Sequence, residues 1–182
     1  MRSFTLLTSL VAFSALAQSA SAADFRLSSS SIAEGMRLST QQVFKGFGCE
    51  GANQSPDLTW SNAPKDTRSF ALTVYDPDAP TGSGWWHWNV VNIPAHISQI
   101  GAAASGKSDL PKEALELRND YGTTGFGGAC PPPGEMHRYI FTVHALRVEK
   151  LDLPKDASNA LAGYMIRANS IGQASITAVY SR

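Results

Sequence analysis

Apolar and β-branched residues fall in short runs along this chain, each ended by turn-forming residues. Phe25-Arg26-Leu27 opens the series. Leu58-Thr59-Trp60 follows and stops at Asn62-Ala63-Pro64. Phe70 to Tyr75 reads as a buried strand, stopped by Asp76-Pro77-Asp78-Ala79-Pro80. Trp85 to Ile93 is another, stopped by Pro94. His137 to Val148 is the longest run, and Ala174 to Tyr180 closes the chain. Runs of this length and spacing predict a mainly β sandwich or barrel. The runs 70–75 and 85–93 are apolar on both faces, which places them inside a sheet rather than at its edge.

Helical spacing occurs in one place. Leu161, Tyr164, Met165 and Ala168 recur at i, i+3, i+4 and i+7, predicting one apolar helix face. Ser158 is the expected N-cap, and Gly163 weakens the helix somewhat. Pro111 suggests the start of a second short helix over 112–117.

The first residues follow a different logic. Arg2, an apolar run from Phe4 to Ala17 and the small-residue pattern Ala20-Ser21-Ala22 read as a secretory signal. The run is too short to cross a bilayer as a helix. The expectation is a signal peptide over 1–22, cleaved, and one domain over 23–182 in the periplasm or outside the cell. A mature chain of about 160 residues is long enough for one sizeable core. The 15 Lys and Arg balance 15 Asp and Glu. Such a balance gives no broad field for nucleic acid or an anionic membrane. Any anion must be held by a local site. Nothing fixes the oligomeric state, a homodimer included.

Export also bears on the two cysteines, Cys49 and Cys130. Both lie in Gly-rich stretches and neither belongs to a CxxC. An oxidising compartment favours a Cys49–Cys130 disulfide, with two free thiols as the alternative.

Two motif matches are set aside on physical grounds. Gly101 to Ser108 spells a P-loop string. A P-loop Lys and Ser must open a long helix, and Pro111 would interrupt it in its first turns. A flexible surface loop of small residues is the expectation. Asn53-Gln54-Ser55 is formally a glycosylation sequon, followed by Pro56.

Three segments concentrate chemistry. Asp76 and Asp78 sit at i and i+2 after a buried strand, where extended geometry lets them face one side. In Trp85-Trp86-His87-Trp88, strand alternation puts Trp85 with His87 and Trp86 with Trp88. Gly125 to Tyr139 supplies glycines that can point amides at an anion, prolines that stiffen the loop, and His137 with Tyr139 on one face. An Asp beside a His favours its charged form. A protonated His with loop amides makes a compact anion site. The four His lack ligand-like spacing, so neither metal nor cofactor is expected. There is no GxSxG, no HExxH and no local Cys nucleophile signature, so no enzyme is expected.

Taken together, Ser55-Pro56-Asp57-Leu58-Thr59-Trp60, the DPDAP at 76–80, WWHWNVVNIP at 85–94 and CPPPGEMHRY at 130–139 resemble the phosphatidylethanolamine-binding (Raf-kinase-inhibitor-like) protein family. Their order and spacing are most similar to its bacterial YbhB/YbcL-type branch. The resemblance implies a Greek-key sandwich of two antiparallel sheets with one or two short helices. It also implies a pocket for phosphoryl or small carboxylate anions. By position, Asp76, Asp78, Pro80, Trp85, His87, Pro132, His137 and Tyr139 would line it, with backbone from Gly128. The leading expectation is an exported small-anion-binding protein that modulates a partner. One alternative is an inhibitor of a protease or signalling protein acting through the pocket rim. Another is an esterase-type hydrolase.

Overall fold

The computed structural model describes residues 24–107 and 109–182. The signal peptide expected over 1–22 lies outside the described residues. Among the described residues, ten strands, one α-helix and a short 3-10 turn at Thr40–Gln42 follow in chain order. The strands are β1 (Arg26–Ser28), β2 (Lys45–Gly46), β3 (Cys49–Glu50), β4 (Leu58–Ser61), β5 (Ser69–Asp76), β6 (Trp85–Pro94), β7 (Gln99–Ile100), β8 (Leu115–Glu116), β9 (Met136–Leu146) and β10 (Ser170–Ser181). The helix α1 (Asn159–Asn169) precedes the last strand. A five-stranded antiparallel sheet runs β10-β9-β5-β6-β8, and a three-stranded sheet runs β1-β4-β7.

The apolar strands sit where their composition requires. β5 is the middle strand of the large sheet, and β6 lies between it and the two-residue edge strand β8. On one face, Phe70, Leu72 and Val74 of β5 pack with Leu58 and Trp60 of β4, and with Phe141 and Val143 of β9. Trp60 meets Phe70 edge-on at 5.3 Å. On the other face, Ala71, Val91 and Leu146 form a smaller cluster under Ala162 and Ile166 of α1. A strand covered on both faces has no polar alternation.

Three details depart from the sequence reading. No helix forms over 112–117. Leu115–Glu116 instead pairs with Val91 and Val90 of β6, which buries Leu117 fully. Closing the sheet edge there satisfies backbone groups and apolar surface together. On α1, Ser158 caps as expected, its hydroxyl accepting from Leu161 N at 3.2 Å. The buried stripe, however, is Ala162 and Ile166, while Leu161 and Tyr164 are exposed. A small residue facing the sheet lets the helix approach closely.

The third departure concerns Trp88. Tyr75 pairs with Trp86 and Val74 with Trp88, so an extra β6 residue is inserted at His87. Such a bulge breaks the two-residue alternation. Trp86 faces the α1 side, whereas Trp88 enters the core and meets Phe126 edge-on at 5.7 Å.

The P-loop string opens no helix among the described residues. Hydrogen bonds hold it in place: Ser105 Oγ donates to Glu116 and accepts from Phe126 N. The Asn53 side chain also points inward, accepting from Gly128 N at 2.7 Å and donating to the Phe126 carbonyl.

Candidate functional site

Three strand ends converge at one end of the large sheet. β5 and β9 run antiparallel, so Asp76 at the end of β5 meets the start of β9. Trp85, first residue of β6, pairs directly with Asp76. The turn between β5 and β6 closes tightly at Gly84, whose φ is +67°. A Cβ there would lie 2.2 Å from the Tyr75 hydroxyl, so only glycine fits.

Asp76 is 3% exposed and fully engaged. Its Oδ1 accepts from the amides of Asp78 at 2.8 Å and Ala79 at 3.1 Å, which winds the DPDAP segment around the carboxylate. Its Oδ2 accepts from His137 Nδ1 at 2.7 Å. His137 Nε2 lies 2.9 Å from Glu135 Oε2. With a carboxylate on each nitrogen, both ring nitrogens act as donors and the imidazolium is favoured. Burial opposes that charge, but the bonds to Glu135 and Asp76 prevail and raise the His137 pKa above the usual value.

His87 is arranged differently. Its Nδ1 lies 2.7 Å from the Gly127 carbonyl, which can only accept, so Nδ1 carries the proton. Its Nε2 sits 4.0 Å from Asp76 Oδ2, beyond hydrogen-bond distance, and has no partner. Burial lowers the His87 pKa despite the Gly127 bond and the nearby Asp76 charge. The two histidines around one carboxylate are therefore pushed in opposite directions, His137 toward the imidazolium and His87 toward the neutral ring.

A cavity of about 210 Å³ opens over this cluster. Of the residues that the resemblance places at a pocket, Asp76, Pro80, Trp85, His87, Pro132, His137 and Tyr139 line it. Asp78 and Gly128 do not. Asp78 turns to Arg138, accepting from its Nε at 2.9 Å and Nη2 at 2.7 Å. The Arg138 bonds hold the Asp78 pKa down at about 2. The amides of the glycine loop are used within the protein: Gly127 N donates to His87 O, Gly128 N to Asn53 Oδ1 and Ala129 N to Gln42 O. They are not free for an anion.

Phe47, Ala79, Thr81, Tyr121 and Cys130 complete the wall. Tyr121 was illegible in the sequence, because it sits in an ordinary Asn-Asp-Tyr-Gly turn. It stacks on Phe44 at 3.8 Å, meets Trp85 and His87 edge-on at 5.2 and 5.6 Å, and donates to the Gly128 carbonyl. Cys130 is joined to Cys49. The bridge ties the 46–51 turn, with Phe47, to the loop that carries Pro132.

Among the described residues, four buried side-chain polar atoms lack a partner: Trp60 Nε1, Trp85 Nε1, His87 Nε2 and Tyr139 Oη. Three belong to residues lining this one cavity. Unsatisfied buried polar atoms are costly, and three of these four cluster at one cavity. Burial, with the Asp76 charge nearby, pushes the hydroxyl pKa of Tyr139 up, so it stays a neutral donor. A larger cleft of about 470 Å³ lies across the sheet, under α1, beside Thr73, His144 and Arg167. No orphaned buried polar atom lines it.

Comparisons with known proteins agree with this architecture. Residues 28–181 match the family model described as phosphatidylethanolamine-binding protein. UPF0098 protein YbcL of Escherichia coli is 56% identical over 166 residues, 89% of this chain and 90% of YbcL. UPF0098 protein YbhB of the same organism is 48% identical over 157 residues, 86% of this chain and 99% of YbhB. The crystal structure of Escherichia coli YbcL, described as a new member of the mammalian PEBP family, superposes with a TM-score of 0.86 at 54% identity. That match covers 88% of this chain and 99% of YbcL. The chain belongs to the phosphatidylethanolamine-binding protein family.

Proposed function

We propose that the protein is an exported binding module whose cavity holds one small oxyanion, a phosphoryl or carboxylate group. The observation that carries this reading is His137, buried between two carboxylates that favour its charged form, beside three unpartnered polar atoms in one cavity. At about 210 Å³ the cavity lies below the range for drug-sized ligands, which suits a compact headgroup or free ion. Trp85 Nε1 and Tyr139 Oη offer free donors there, and His137 Nε2 joins them where an anion displaces the exposed Glu135 carboxylate. A donor on a charged group contributes roughly 1.5–3 kcal/mol net to an anion.

The lining supports binding over turnover. Cys130 is consumed by its disulfide, and the Thr81 hydroxyl donates to the Gly84 carbonyl. Neither serves as a nucleophile beside a basic His. Export rests on the signal-like order of Arg2, the apolar run and Ala20-Ser21-Ala22. Intact mass from the native host should place the mature start at Ala23.

Calorimetric titration with inorganic phosphate tests the site. Binding should weaken as pH rises through the raised His137 pKa. His87→Ala and His137→Ala should each lose on the order of ten- to a hundredfold. Equal affinity in the wild type and both variants would remove the site from this cavity.

A further inference from the structure

Two acceptors face each other across the cavity floor. Asp76 Oδ2 takes one hydrogen bond, from His137, and His87 Nε2 takes none. They are 4.0 Å apart and cannot bond each other. The Gly127 carbonyl fixes the His87 tautomer, because a carbonyl can only accept and Nδ1 must therefore donate. Nε2 is consequently a bare lone pair, buried and without a protein donor in reach.

A fully deprotonated oxyanion offers acceptors alone. Set against His87 Nε2 and Asp76 Oδ2, its oxygens would place like against like and leave the lone pair unsatisfied. An oxyanion that retains a hydroxyl answers both halves of the site. Its bare oxygens accept from Trp85 and Tyr139, and from His137 Nε2 where Glu135 gives way, and its hydroxyl donates to His87 Nε2. Resting on the oxyanion reading above, we propose that His87 acts as a hydrogen-bond acceptor that selects hydroxyl-bearing oxyanions, inorganic phosphate above sulfate.

The surroundings of His87 favour the neutral ring. The rings of Tyr121 and Tyr139 pack against it in T-shaped arrangements, with centroids 5.6 and 5.1 Å away, and burial lowers its pKa. Asp76 and the more distant Asp120 act the other way, without prevailing. Of the other charges at the cavity, His137 lies between two carboxylates, Asp76 and Glu135, so the trio carries a net negative charge. The same logic extends to phosphate monoesters. They keep a hydroxyl only below their second pKa of about 6, so their binding should fall above that pH while inorganic phosphate persists.

The test is calorimetric titration of the full chain with inorganic phosphate and with sulfate near pH 7.5. An unassisted His is mostly neutral there, with a pKa of about 6.5. Phosphate should bind at least about tenfold tighter, one missing hydrogen bond to a buried acceptor. In His87→Gln the amide can turn either its oxygen or its nitrogen to the ligand, so the ratio should fall toward one. Repeating the wild-type titration in two buffers of different ionisation enthalpy counts protons and needs no variant. Phosphate should enter without proton uptake. Equal binding of phosphate and sulfate, proton uptake by His87 on phosphate binding, or an unchanged ratio in folded His87→Gln would each overturn the acceptor role while leaving the oxyanion reading standing. Failure of both anions to bind would overturn both.

Discussion

His137 Nδ1 donates to Asp76 Oδ2 at 2.7 Å, and both side chains are buried. Asp76 is prepared for this, because its other oxygen is already anchored by the amides of Asp78 and Ala79. A carboxylate with its geometry fixed by backbone donors costs little further ordering when it meets an imidazolium. The pair is thus the link between the turn after β5 and the charge at the cavity.

Asp76→Asn should therefore lower the His137 pKa. It removes the buried charge and exchanges an acceptor-only group for an amide. Because the His137 pKa is raised in the folded protein, this pair stabilises the fold fully below the unfolded pKa of about 6.5. That contribution is lost as pH rises through the folded pKa. NMR titration of the His137 ring should show the drop, and stability near pH 6 should fall more than stability near pH 9. An unmoved His137 titration would show that Glu135 alone holds the charge.

Much of this was legible from particular residues. Asp76, His87 and His137 stand at strand ends marked by prolines and glycines, and period-two reasoning put Trp85 with His87 and His137 with Tyr139 correctly. What failed was whatever depends on register. The inserted residue at His87 moved Trp88 into the core, and no local signal distinguishes a bulged strand from a regular one. The free amides expected from Gly125 to Gly128 are taken by the Leu117 carbonyl, Ser105 Oγ, the His87 carbonyl and Asn53 Oδ1, partners that tertiary contact supplies and local spacing does not reveal. Glu135 and Tyr121 were missed because their importance comes from contacts, not from spacing.

Cys49 and Cys130 are 81 residues apart and bridged. Closing a loop of that length contributes about 4–5 kcal/mol in the chain-entropy model. Cys130 and Phe47 both line the cavity, so the bridge also holds two walls together. The double variant Cys49→Ser, Cys130→Ser should lose a large part of that stability in urea denaturation and bind phosphate more weakly. Thiol titration of the denatured, unreduced wild type should find none. Two titratable thiols would refute the bridge.

On the opposite face of the sheet, His144 Nε2 lies 3.1 Å from Thr73 Oγ1, and burial lowers its pKa to about 4. For a group depressed on folding, stability is complete above the unfolded pKa of about 6.5 and is lost as pH falls through the folded value. Partial solvent access moderates the shift, leaving about 2–3 kcal/mol over that window. Urea denaturation should show wild type losing this stability between about pH 6.5 and about pH 4. His144→Gln, which keeps a partner for Thr73 but does not titrate, should lose less. Parallel profiles would show that other groups govern acid sensitivity.

Glu135 occupies the place on His137 that an anion would take. Its carboxylate lies 2.9 Å from His137 Nε2, and its side chain is 49% exposed. Two consequences oppose each other. Glu135 helps keep His137 protonated, which favours an incoming anion. It also competes for the Nε2 proton and repels the anion directly. Asp76 is buried, closer to the ring and unaffected by loss of Glu135, so the imidazolium persists without it. Repulsion and competition should then dominate. An exposed carboxylate contact is worth roughly 0.2–1 kcal/mol, so Glu135→Gln should bind phosphate about two- to fivefold tighter near neutral pH. The gain should shrink as salt screens the exposed carboxylate. Calorimetric titrations of wild type and Glu135→Gln at low and high ionic strength measure both effects. Weaker binding in the variant, with a lowered His137 pKa, would reverse the ranking and make Glu135 the residue that sustains the charge.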